Sequence, residues 1–119
     1  MKYLTALFLM LSMISSSAQT ELLIQPEEVI EEASKQLEAS MQTEGIIKSW
    51  ATEKAITGTY EYELTIGKSA RIVSVRILSS KEGNIPSQNA VKDFLMDKFR
   101  FEMKIPKDKK YKLNYTFSF

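Results

Sequence analysis

The chain has 119 residues, 16 Lys and Arg against 15 Asp and Glu, 44% hydrophobic residues, and neither Cys nor His. That length makes one domain. The missing thiols and imidazoles exclude disulfide frameworks, Cys/His zinc sites and every Cys- or His-based catalytic system, and the near-neutral charge argues against a nucleic-acid partner.

Lys2 precedes an apolar run over residues 3–14, which is followed by Ser15, Ser16, Ser17 and Ala18. This is the order of a secretory signal peptide, with small residues at the cut. As a helix the apolar run reaches about 18 Å, short of the roughly 30 Å of bilayer hydrocarbon. Residues 1–18 are therefore expected to be a signal peptide cleaved after Ala18, the alternative being a retained anchor. The mature protein would be periplasmic or secreted, with no stable membrane span. Its charge is lopsided: residues 19–67 hold 3 basic and 10 acidic side chains, and residues 68–119 hold 12 basic and 5 acidic. Such halves attract each other on folding, so internal complementarity explains the split more economically than a polyanionic partner.

Residues 19–58 are expected to form a helix and a packed connection. Pro26 suits a first helical position, and Glu27, Glu28, Glu31 and Glu32 suit the positive end of the helix dipole. Val29, Ala33, Leu37 and Met41 recur every four residues with Ile30 alongside, which predicts an amphipathic helix over 26–42 stopped by Gly45. Beyond it, Ile46, Ile47, Trp50, Ala55 and Ile56 are apolar anchors, but Lys48, Glu53 and Lys54 interrupt both helical and strand periods. That stretch reads as a packed connection with Trp50 as a core anchor.

Residues 59–66 alternate, with Tyr60, Tyr62, Leu64 and Ile66 on one face and Thr59, Glu61, Glu63 and Thr65 on the other. A reversal at 67–70 leads to a second strand over 71–78, carrying Val73, Val75 and Ile77 on one face and Ser74 and Arg76 on the other. After turn residues 79–84, Ser87 is the expected N-cap of a second helix, in which Val91, Phe94, Leu95 and Phe99 share a stripe. A charged turn over 103–110 precedes a last alternating strand, 111–119. The expected fold is α+β: a three-stranded antiparallel sheet, β-β-α-β in order 2-1-3, covered on one face by a helix, with an additional N-terminal amphipathic helix. In that order Glu61 and Glu63 would lie between Arg76 and Lys112.

Residues 59–119 resemble the C-terminal domain of the energy transducer TonB. The matching features are Tyr62-Glu63-Leu64-Thr65-Ile66 before a Gly-containing turn, Ile72-Val73-Ser74-Val75-Arg76-Ile77 running into Ser79-Ser80, and Ala90-Val91 in the helix. Phe99-Arg100-Phe101 and the closing Tyr115-Thr116-Phe117-Ser118-Phe119 complete them. Where such domains place a Gly directly before the second strand, this chain has Ser69-Ala70. The resemblance implies a non-catalytic periplasmic binding module. In it, an extended peptide from an outer-membrane transporter or other envelope partner pairs with the edge of the last strand by β-augmentation. The implied site is Tyr111, Lys112, Leu113, Asn114, Tyr115, Thr116 and Phe117. Force transmission is not carried over, because the long Pro-rich linker it needs is missing from a chain with 3 Pro. An accessory role in transport or envelope assembly is what remains.

The alternative is a small structural protein of the envelope whose last strand binds no peptide and is merely guarded by Lys110 and Lys112. A homodimer through that edge would occupy the same surface. No enzymatic activity and no cofactor are expected. Glu61 and Glu63, about 7 Å apart on one strand face, fall within the range of paired glycosidase carboxylates, but an open sheet would leave them solvated. Glu27, Glu28, Glu31 and Glu32 lack the turn and carbonyl ligands of a calcium loop. Lys107, Lys109, Lys110 and Lys112 read first as a charged turn, and second as a surface for anionic lipid or an acidic peptide.

Overall fold

Four-residue spacing produces a helix where it is expected. The structure, a computed structural model, describes residues 22, 23 and 25–119; the expected signal peptide and its cleavage site after Ala18 lie outside the described residues. The first helix, α1 (Pro26–Ser40), starts on its proline, carries Glu27 and Glu28 in its first turn, and buries Val29, Ala33 and Leu37. Gly45 does not stop this helix but precedes the next one. Its backbone passes so close to the last turn of α1 that a Cβ there would lie 2.2 Å from the Ser40 carbonyl oxygen.

The stretch expected to be a packed connection contains a helix, α2 (Ile46–Glu53), burying Ile47 and Ala51. Ile47, Trp50 and Ala51 are three and four residues apart, which is a helical stripe, and Lys48 and Glu53 lie outside it rather than interrupting it. Trp50 stacks on Phe94 with ring centroids 4.3 Å apart and planes at 19°. At the end of α2, the Ile56 N–H donates to the Ala51 carbonyl at 2.9 Å and the Ala55 N–H to the Thr52 carbonyl at 3.3 Å. Ala55 has φ +54°. This is a Schellman ending in which alanine occupies the left-handed position that glycine usually fills.

The sheet has the expected order. β1 (Thr59–Gly67) lies between β2 (Arg71–Lys81) and β3 (Tyr111–Ser118), antiparallel to both. Tyr60, Tyr62, Leu64 and Ile66 are fully buried on one face. Both tyrosine hydroxyls find partners there, Tyr60 donating to the Thr57 carbonyl and Tyr62 to the Gln88 carbonyl at 2.8 Å. The turn between β1 and β2 puts Ser69 at φ +63° and Ala70 at φ +56°, so the position directly before β2 takes a left-handed backbone on an alanine.

β2 departs from plain alternation. Its register against β1 shifts twice, and Val73 and Leu78 fall opposite no residue. Each is the extra residue of a bulge. Ile72 and Val75 are buried, whereas Val73 is 42% exposed, so Val73 does not share the inner face with Val75 as expected. Across the open face Glu63 faces Arg76 in an ion pair of 3.3 Å, but its other neighbour is Asn114; Lys112 sits opposite Thr65. The lysine half of the expected charge sandwich is therefore displaced by two residues.

Helix α3 (Ile85–Asp97) is capped by Asn84, whose side-chain oxygen accepts from the Ser87 N–H at 2.8 Å. Ser87, expected to cap, is instead buried, and its hydroxyl accepts from the Thr57 N–H at 3.3 Å. Proline is tolerated throughout a helix's first turn, so Pro86 lies just inside the helix and not ahead of it. The second helix and the additional N-terminal helix both pack on the sheet: α3 against β2 and α1 against β3. Val29, Leu37 and Ile47 share one core with Tyr62, Val91, Leu95 and Phe117, so residues N-terminal to the sheet are integral to the fold.

Only the latter part of the expected 103–110 turn is a turn. Phe101 and Ile105 are buried, the Phe101 N–H donates to the Ala70 carbonyl at 3.0 Å, and the Leu23 N–H donates to the Lys104 carbonyl at 2.8 Å. The Gln36 amide clamps this segment to α1, accepting from the Glu102 N–H at 2.8 Å and donating to its carbonyl at 3.0 Å.

Candidate peptide-binding edge

β2 and β3 are the two margins of the sheet, and they differ in regularity. β3 matches β1 over eight consecutive residue pairs without a shift, from Thr59 opposite Ser118 to Ile66 opposite Tyr111. β2 is interrupted by its two bulges. Bulges twist a strand and break the even row of main-chain donors and acceptors that an incoming strand would need. Ile77 and Leu78 on β2 are 39% and 38% exposed, but they stand on that irregular margin. The straight ladder is β3.

The expected site residues all lie on β3 and divide into two sets. Tyr111, Leu113 and Phe117 are buried and Tyr115 is half-buried, whereas Lys112, Asn114 and Thr116 are exposed on the open face. The main chain divides the same way. The Phe119 N–H donates to the Gly58 carbonyl at 2.9 Å, so the residue pair Gly58 and Phe119 is hydrogen-bonded. In an antiparallel ladder bonded and non-bonded pairs alternate. Stepping back by two along the unbroken register, the bonded pairs are Tyr60 with Phe117, Tyr62 with Tyr115, Leu64 with Leu113 and Ile66 with Tyr111. Lys112, Asn114, Thr116 and Ser118 therefore turn their N–H and C=O groups away from β1. Of the expected site residues, three carry outward-facing main chain; Ser118, on the expected strand 111–119 but outside that set, is the fourth.

The inner set holds this edge in place. Phe117 packs against Tyr115 at 4.8 Å, Tyr62 at 6.0 Å and Phe119 at 6.2 Å between ring centroids. Burial, and then the nearby Glu38 carboxylate, push the Tyr115 phenol above its usual pKa. Burial, and then Tyr60, push the Tyr62 phenol up further. Both hydroxyls stay protonated, and the strand's inner face is a packed layer of rings under α1.

The other chemical candidates are placed as follows. Glu61 and Glu63 lie on the open sheet face, where Glu63 pairs with Arg76 and Glu61 accepts from the Ser79 hydroxyl at 3.5 Å. Glu27, Glu28 and Glu31 are exposed along α1; among the described residues no three carboxylates converge on one point. Two open grooves of about 800 and 780 Å³ flank the Arg100 to Lys104 segment, and neither includes a residue of β3. Their shared lining straddles the expected end of the second helix and the start of the expected 103–110 turn, where no single period marks a groove. Among the described residues no helix is long and apolar enough to cross a membrane. Compared with known protein families, curated proteins and solved structures, the chain finds no match in any of the three.

Proposed function

We propose that the protein is an exported, non-catalytic binding module that accepts an extended peptide of an envelope or outer-membrane partner along β3, as an accessory to transport or envelope assembly. The observation that carries this reading is the unbroken register of β3, which leaves a regular row of main-chain groups at Lys112, Asn114, Thr116 and Ser118 facing outward. In β-augmentation such a row supplies affinity and the alternating side chains supply selectivity. The resemblance of residues 59–119 to the TonB C-terminal domain supports the same edge.

The test is an amide-resolved NMR titration with a short peptide of alternating Thr and Val. Binding on β3 shifts the amides of Lys112, Asn114 and Thr116 and slows their hydrogen exchange, while those of Leu113 and Phe117, already bonded to β1, stay protected throughout. A response confined to β2, or none on either margin, overturns the proposal.

A further inference from the structure

The expected internal complementarity of the two oppositely charged halves is barely used. Among the described residues the one ion pair is Arg76 with Glu63. Lys107, Lys109, Lys110 and Lys112 are all exposed, with Asp108 the only acidic residue among them in sequence. They stand at the start of β3, where its outward-facing main chain begins. Further along the strand the outward positions are Asn114, Thr116 and Ser118, none of them charged. The positive charge of this edge is thus gathered at its N-terminal end.

Resting on the β3 reading above, we propose that this edge selects an acidic extended peptide, with the peptide's carboxylates seated at the Lys107 to Lys112 end of the strand. Lysines with no ion pair among the described residues, beside outward-facing main-chain groups, match a ligand that presents both a strand and negative charge. A lipid headgroup surface would use the lysines but would leave the outward N–H and C=O groups of Asn114 and Thr116 without strand partners. Exposed charge pairs are individually weak and screened by salt, so the selection is electrostatic tuning of a main-chain interaction.

The experiment compares two synthetic peptides with the same Thr-Val core, one flanked at both ends by Asp pairs and one by Lys pairs, each titrated into the purified protein. The Asp-flanked peptide is expected to bind about tenfold tighter at low ionic strength, two or three weak pairs acting together. That preference shrinks as salt is added, and Lys109→Glu with Lys110→Glu removes or reverses it while the shifts at Lys112, Asn114 and Thr116 persist. Equal affinities with those same amides shifting overturn the charge selection and leave the β3 reading standing. No shift at those amides with either peptide overturns both. Lysine-dependent binding to phosphatidylglycerol vesicles, with no preference between the peptides, overturns the peptide in favour of a membrane surface.

Discussion

The alternation of main-chain groups along β3 makes a sharp prediction about proline. At Tyr115 the N–H belongs to the bonded pair with Tyr62, so Tyr115→Pro removes a ladder bond and leaves the Tyr62 carbonyl unpartnered inside the sheet. The lost bond costs about 1–3 kcal/mol, and the proline ring also crowds β1. For a domain of this size each kcal/mol lowers the melting temperature by about 4–8 °C, so Tyr115→Pro lowers it by roughly 5–20 °C. One residue on, the Thr116 N–H points away from β1 and has no internal bond to lose. Proline is accepted on edge strands when its nitrogen faces solvent, so Thr116→Pro costs about 1 kcal/mol or less. Its effect falls on ligand binding: it deletes one outward donor, worth about 0.5–1.5 kcal/mol, and places a ring where an incoming strand must approach. Thermal melts and peptide titrations of the two variants separate the roles. If Thr116→Pro destabilises the fold as much as Tyr115→Pro does, the assignment of outward and inward groups is wrong, and the proposed site loses its basis.

Two further predictions concern stability. Ala55 is exposed and left-handed at the end of α2, so Ala55→Gly relieves backbone strain and stabilises the protein by about 1 kcal/mol in chemical denaturation; a loss of stability would refute the Schellman assignment. The Tyr62 phenol is raised above its ordinary value of 10.0, so the unfolded chain ionises first. The stability linked to this proton is fully present below about pH 10 and is lost as pH rises above it. Tyr62→Phe gives up the hydrogen bond to Gln88, costing about 1 kcal/mol at neutral pH, but flattens the alkaline loss; an unchanged alkaline slope would contradict the burial of that hydroxyl.

Where one element buries one face against one neighbour, periodicity was enough. β1 and β3 alternate over their whole lengths, and Val29, Ala33 and Leu37 mark α1, because a strand or helix with a single dry side must repeat its apolar residues at its own period. α2 was legible in the stripe of Ile47, Trp50 and Ala51, but Lys48, Glu53 and Lys54 interrupt a plain count of apolar positions, and Ile46, which is 65% exposed, lies off that stripe. The capping role moved from Ser87 to Asn84 because both residues suit a cap and Pro86 fits either start. The bulges at Val73 and Leu78 left no sign in composition, since a bulge is a disagreement between two strands and cannot be seen in one.

The candidate site divides along the same line. Amphipathic periods and the order of strands and helix are local consequences of side-chain chemistry, so the amino-acid sequence by itself determined the fold class, the strand order and the lysines gathered before the last strand. Which margin is straight, which main-chain groups on it face outward, and that the lysines form no ion pair among the described residues were decided only by tertiary structure. Register, bulges and ion pairing are relations between segments distant along the chain, and they have no value until those segments are packed together.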